Sequence, residues 1–220
     1  MKVFCIIPAY NEEKTIAQIA AQVKPLVWEV VVVDDGSIDK TSKLAKNEKV
    51  TVLRHPTNRG QGAALETGNR YALKKGADTL VHFDADGQFS VQEIKDVIRP
   101  IQDGQADVVF GSRFLGKKSN MPGFKKNIII PLAHLVNKIL MGKTLSDPQS
   151  GFRALSRTAA QKIKIQNDGM AHCSEILYKT FKNNFRIQEV PITVTYHEFG
   201  QRLSGGFKII KDLFLAKLID

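Results

Sequence analysis

The run Val30-Val-Val-Val33 sets the tightest limit on the fold. Four β-branched residues in succession favour an extended backbone, and alternate side chains of a strand point to opposite faces. Neither face of such a strand suits water, so both must be covered. The flanking chain repeats one alternation. Strands are expected over residues 3–7, 29–34, 49–54, 79–83 and 107–110. Helices are expected over 14–23, 39–46, 60–75 and 91–103, with Ser37 and Ser90 as N-cap residues. This order implies an α/β fold, a parallel central sheet with helices on both sides. Right-handed crossovers then bring the carboxyl ends of the strands to one edge, where such sheets bind ligands. A chain of 220 residues suffices for one such domain with a sizeable core.

Polar and acidic residues gather where that edge is expected. The first strand leads into Pro8-Ala-Tyr-Asn-Glu12 and the second into Asp34-Asp-Gly-Ser37. The fourth leads into Asp84-Ala-Asp-Gly-Gln88 and the fifth into Gly111-Ser-Arg113. Each segment alone reads as turn chemistry. Together on one edge they read as a site. In extended backbone Asp84 and Asp86 face the same way, and two carboxylates that close repel unless a cation or a proton relieves them. A divalent ion that also meets substrate phosphates is one remedy. The alternative is a pair of solvated loop carboxylates capping the next helix.

Charge is unevenly spread. Residues 1–110 hold 14 Lys and Arg against 15 Asp and Glu, while residues 111–220 hold 18 against 7. The basic second half points to an anionic partner: nucleic acid, an anionic membrane or a phosphorylated substrate. Cys5 and Cys173 sit far apart in apolar surroundings, which argues for buried bystanders in a reducing compartment and against a disulfide or zinc site. No secretory signal is expected at the start of the chain. The longest apolar run, 128–136, is too short to cross a bilayer and contains Pro131 and His134.

Five segments taken in order, Pro8-Ala-Tyr-Asn-Glu12, Asp34-Asp-Gly-Ser37, Asn58-Arg-Gly60 with Gly62, Asp84-Ala-Asp86 and Gln149-Ser-Gly-Phe-Arg153, resemble family 2 glycosyltransferases. Within that family they resemble the dolichol-phosphate mannose synthase and polyprenyl-phosphate glycosyltransferase branch, from residue 3 to about residue 208. The resemblance implies a GT-A fold, a Rossmann-like three-layer arrangement around a mostly parallel sheet. It implies one domain over residues 1–204, with a nucleotide-binding half at 1–112 and an acceptor-binding half at 113–204. It also implies inverting, metal-dependent transfer of mannose or glucose from GDP-mannose or UDP-glucose to a polyprenyl or dolichyl phosphate at the cytoplasmic membrane face, with Mg²⁺ or Mn²⁺. The alternative is a saccharide hydroxyl acceptor in glycan or polysaccharide assembly.

By the same resemblance Pro8, Tyr10, Glu12, Val33 and Asp35 hold the base and ribose. Asp84, Ala85 and Asp86 line the diphosphate, with Asp84, Asp86 and Gln88 as metal ligands. Arg113 reaches a phosphate, and Arg202 and Lys208 close over the phosphates. The acceptor phosphate falls to Lys125, Lys126, Asn127, Gln149, Ser150 and Arg153. A hydroxyl acceptor needs a general base, for which Asp147 and Glu175 are the candidates; Glu175 also reads as a carboxylate at a helix start, and Asp147 as a turn cap. Two departures stand out. Gln61 replaces a lysine common between the two glycines. Asn127 and Pro131 fall where relatives carry an arginine and a serine for the lipid phosphate.

The segment 205–220 sets Phe207, Ile210, Phe214 and Leu218 along one helical stripe among Lys208, Lys211 and Lys217. It reads as an amphipathic helix for a membrane interface or as one packed on the domain. Recruitment by a small membrane protein is the other route to the bilayer. A sugar nucleotidyltransferase is disfavoured because its glycine-rich basic signature is missing near the first strand. A nucleic-acid-binding protein is disfavoured because no basic platform interleaved with aromatics is present.

Overall fold

The computed structural model describes residues 1–115 and 145–195. One seven-stranded sheet organises them. Its strands in chain order are β1 (Val3–Ala9), β2 (Glu29–Asp34), β3 (Thr51–Arg54), β4 (Thr79–His82), β5 (Val108–Ser112), β6 (Arg153–Ser156) and β7 (Ile187–Pro191). Their order across the sheet is β3-β2-β1-β4-β6-β5-β7. The pairs β1–β2, β1–β4, β2–β3 and β5–β7 are parallel. Strand β6 runs antiparallel between β4 and β5. The sheet is therefore mostly parallel, and the expected halves 1–112 and 113–204 share it.

The helices are α1 (Ile16–Val23), α2 (Thr41–Asn47), α3 (Gln61–Lys74), α4 (Ile94–Gln102), α5 (Arg157–Lys162) and α6 (His172–Lys182). The period of two in the strands assigns the two cores. Val30 and Val32 of β2 pack with Ile16, Ile19 and Val23 of α1 and with Ile94 and Val97 of α4. Val31 and Val33 face the other way, among Ala64 and Leu65 of α3 and Ile176 and Leu177 of α6. Each such buried valine contributes about 1.5–3 kcal/mol relative to exposure. The result is three layers, helix over sheet over helix.

Two strands lie outside the expected set. The four residues of β6 begin with Arg153, a charge at a buried position. Strand β7 is a half-buried edge that ends at Pro191. The expected N-caps also differ. Helix α2 starts at Thr41, four residues after Ser37, whose hydroxyl instead accepts from the Asn11 amide at 2.9 Å. Ser90 precedes a 3₁₀ turn, Val91–Glu93, but its side chain makes no capping bond.

Candidate active site

The carboxyl ends of β1, β2, β4 and β5 meet at one edge, as the crossovers require. At the end of β2, Asp34 accepts from the Ser37 amide at 2.9 Å, and Arg54 Nε lies 3.2 Å from its other oxygen. That second contact is an ion pair not aligned as a hydrogen bond. Asp35 is buried and well served. Its carboxylate accepts from the Arg59 amide at 3.0 Å and the Gly60 amide at 2.7 Å, and lies 2.6 Å from His55 Nδ1. It fixes the 55–60 loop against the sheet. Pro8 and Val33 are buried and Tyr10 is exposed beside them. Glu12 is pushed above its ordinary pKa by burial and then by the charges of Asp86 and Asp39, against one hydrogen bond from Thr15.

Strand β4 ends at His82, and residues 85–86 form a turn instead of continuing extended. The carboxylates of Asp84 and Asp86 nonetheless stay close enough to repel. Asp86 folds back to accept from the Gln88 amide at 2.9 Å. Asp84 is part-buried, with protein packed closely around it. Burial first, then Asp86 and Cys173, push its pKa up to about 7; Arg153 and His172 oppose the shift. It receives one hydrogen bond among the described residues, from Gln61 Nε2 at 2.8 Å. Gly151 lies against it, so a Cβ there would sit 2.4 Å from Asp84 Oδ2. Ala85 points into the core. A buried carboxylate with one donor, set beside a second carboxylate, suits a divalent cation. No group of three His, Cys, Asp or Glu forms a fuller ligand set among the described residues. The chemistry therefore fits an ion that takes its other oxygens from a bound diphosphate.

Across the edge, Arg113 and Asp147 form a two-pronged pair, Nε to Oδ2 at 2.6 Å and Nη2 to Oδ1 at 2.7 Å. Such a fork is strong and directional. Glu189 of β7 holds the same turn through the Ser146 amide, the Ser146 hydroxyl and the Asp147 amide. Gln149 donates to the Ser174 hydroxyl at 3.2 Å, and Ser150 is buried.

Arg153 lies below this surface, fully buried. Its Nη2 donates to Ser150 O at 2.7 Å and to Cys173 Sγ at 3.2 Å. Burial opposes ionisation of Cys173, but Arg153 and His172 outweigh it and lower the thiol to about 6. Burial, then Arg153 and His172, drives His82 well below its ordinary value, so its ring is neutral, with Nε2 2.8 Å from Asn69 Oδ1. Arg153 Nε and Nη1, His82 Nδ1 and Asn69 Nδ2 have no hydrogen-bonding partner among the described residues. Cys5 is the inert bystander expected; Cys173 instead belongs to a charged cluster behind Asp84.

Glu175 lies in the first turn of α6. Its carboxylate accepts from the amides of Gln166 (2.9 Å) and Asn167 (2.8 Å), from Asn167 Nδ2 (2.9 Å) and from Lys179 Nζ (2.6 Å). Burial raises its pKa, but these donors prevail and lower it. A lowered, saturated carboxylate suits anchoring and not proton abstraction.

The structure thus brings Glu12, Asp84, Asp86, Arg113 and Asp147 to one edge. Lys125, Lys126, Asn127, Pro131, Arg202, Lys208 and the helix expected over 205–220 lie outside the described residues. Sequence reasoning passed over Gln61 as a contact, His55, Glu189 and the His172–Cys173 pair. The signal available for Gln61 was its position between Gly60 and Gly62.

Comparison with known proteins agrees with this geometry. The family model described as glycosyl transferase family 2 matches residues 4–164. The UDP-N-acetylglucosamine–dolichyl-phosphate N-acetylglucosaminyltransferase of Methanococcus voltae is 36% identical over 242 residues, covering 98% of this chain and 96% of its own. The polyprenol monophosphomannose synthase of Mycolicibacterium smegmatis is 32% identical, covering 95% and 83%. Among solved structures, the glucosyl-3-phosphoglycerate synthase of Mycobacterium tuberculosis, in complex with Mn²⁺, UDP-glucose and phosphoglyceric acid, superposes with a TM-score of 0.77 at 22% identity, over 97% of this chain and 79% of that one. That likeness establishes the GT-A fold. With its motifs at the sheet edge and these relatives along nearly its whole length, the chain belongs to glycosyl transferase family 2, in the branch of its polyprenyl-phosphate relatives.

Proposed function

We propose that this protein moves a hexose from a nucleotide-sugar to the phosphate of a polyprenyl or dolichyl lipid, with inversion at the anomeric carbon and with Mg²⁺ or Mn²⁺ at the diphosphate. The observation that carries the reading is Asp84 at the sheet edge, packed beside the charge of Asp86 and served by one hydrogen bond among the described residues. The names of the relatives supply the acceptor class.

In this reading Pro8, Tyr10, Glu12, Val33 and Asp35 frame the base and ribose, the buried ones through their backbone. Asp84, Ala85 and Asp86 line the diphosphate, and Asp84, Asp86 and Gln88 hold the ion. The ion, when bound, offsets negative charge on the departing diphosphate. A lipid phosphate oxygen forms the new bond to the anomeric carbon as the bond to the diphosphate breaks, and the nucleoside diphosphate leaves with the electron pair. The nucleophile is already ionised, so no side chain need take a proton. That agrees with Glu175 saturated by donors and Asp147 held at both oxygens by Arg113. The same fork argues against the saccharide-hydroxyl alternative, which needs one of them free. The acceptor phosphate falls to Gln149, Lys125, Lys126 and Asn127 at the cytoplasmic face of the membrane, while Arg113, Arg202 and Lys208 belong with the donor's phosphates. Ser150 and Arg153 support that surface from beneath. Among the described residues no helix is long and apolar enough to cross a bilayer.

The test is a transfer assay with GDP-mannose, UDP-glucose and UDP-N-acetylglucosamine, each with Mn²⁺ or Mg²⁺ and a short polyprenyl phosphate in detergent. A glycosyl-phospholipid formed only with the ion is expected. Transfer to a saccharide but never to the lipid phosphate would refute the acceptor.

A further inference from the structure

We infer that residues 165–169 form a positioning brace, anchored by Glu175, that clamps the start of α3 and aims Gln61 at Asp84. This rests on the reading of Asp84 as the carboxylate beside the diphosphate. It adds a positioning residue, Gln61, and its remote anchor, Glu175.

The brace lacks regular secondary structure, so its amides take their partners from elsewhere. Two carboxylates supply them. Glu66 of α3 accepts from the Ile165 amide at 2.9 Å. Glu175 accepts from the Gln166 and Asn167 amides and from the Asn167 side chain. Lys179, one turn along α6, locks this arrangement through Glu175 Oε1 at 2.6 Å, Lys164 O at 2.6 Å and Gln166 Oε1 at 3.1 Å.

The far side of the brace meets the helix. The first amides of any helix lack partners within it, and a side chain normally caps them. Helix α3 has no side-chain cap. Its Gly62 and Ala63 amides donate to Asp168 O instead, at 2.8 and 3.3 Å. The contact is so close that only glycine fits. A Cβ on Gly60 would sit 2.3 Å from Asp168 O, and one on Gly62 would sit 1.9 Å from Asn167 O. Gly60 also takes φ +111°, a conformation that disfavours side chains. Between these two glycines Gln61 projects to Asp84.

The carboxylate of Asp84 is thus fixed from two sides, by the Gln61 amide at Oδ1 and by the bare Cα of Gly151 beside Oδ2. A neutral amide orients it without cancelling its charge, which stays available to a cation. A lysine at position 61 would orient the group but neutralise it.

The test uses the full chain. The Gln61 side-chain amide resonances are followed by NMR in the wild type and in Gln61→Leu (for assignment), Asp84→Asn, Glu175→Gln and the milder Lys179→Met. In parallel, Mn²⁺ affinity is measured by EPR with nucleoside diphosphate present. The brace predicts that Glu175→Gln and Lys179→Met each move the Gln61 resonances in a folded protein. It also predicts that Gln61→Leu and Glu175→Gln weaken Mn²⁺ on the order of tenfold. Unmoved Gln61 resonances in both brace variants would overturn the inference. Should the wild type bind no Mn²⁺, the proposed ion falls, and the resonances still decide the brace.

Discussion

Asp84 and Glu175 are carboxylates of one domain with opposite fates. Glu175 is surrounded by three amide donors and an ammonium, and its pKa falls. Asp84 receives one amide donor and faces the charge of Asp86, and its pKa rises to about 7. Burial raises both, Asp84 the more strongly, and only at Glu175 do donors outweigh it. The number of donors and the neighbouring charge of Asp86 complete the contrast. A carboxylate whose lone pairs are filled holds structure together, whereas one left short of partners is held in readiness for a ligand.

The sharpest way to break this contrast is to neutralise both in turn. Asp84→Asn is expected to lower glycosyl-lipid formation on the order of 10²–10³-fold while leaving the circular dichroism spectrum intact. Gly151→Ala should cost turnover on the order of 10²-fold, because its new Cβ must displace Asp84 Oδ2 from 2.4 Å. Steady-state kinetics beside a thermal melt would show activity falling further than stability. Glu175→Ala should do the reverse in urea melts, losing about 1–3 kcal/mol of stability because the Gln166 and Asn167 amides lose their acceptor.

The smallest effect is in pH. In ion-free protein Asp84 holds its proton more tightly folded than unfolded. Its contribution to stability should therefore decline as pH rises from its ordinary 3.8 toward 7. Glu175, with a lowered pKa, contributes stability above its ordinary 4.5 and loses it as pH falls below that value. Urea midpoints between pH 3 and 8 check both signs. Asp84→Asn should flatten the decline toward neutrality, and Glu175→Gln should flatten the loss in acid.

What the sequence revealed follows from how local each signal is. Strands β1 to β5 were legible because Val30-Val-Val-Val33 and its counterparts carry their burial in their own composition. Strand β6 was not, because four residues headed by an arginine resemble a surface turn. The acidic edge was legible because Asp34 closes β2 and Asp84 and Asp86 come just after β4. The brace was hidden because Glu175 and Glu66 accept from backbone amides, and an amide has no letter in the sequence. Arg153 shows the same limit from another side: the sequence records its charge but not its depth, and the structure buries it fully.

Strand β6 also sets the order in which the molecule can be made. Strands β4 and β5 are never neighbours; β6 must slide between them, and it is synthesised after both. Ribosomes add about 5–20 residues each second, so the roughly 40 residues between β5 and β6 take on the order of seconds to emerge. Throughout that interval the nascent chain carries an open edge on β4, whose residues are all buried in the finished sheet. Such an edge is adhesive. A chain stopped before residue 153 would lack the strand that pairs with both β4 and β5 and would leave those edges open.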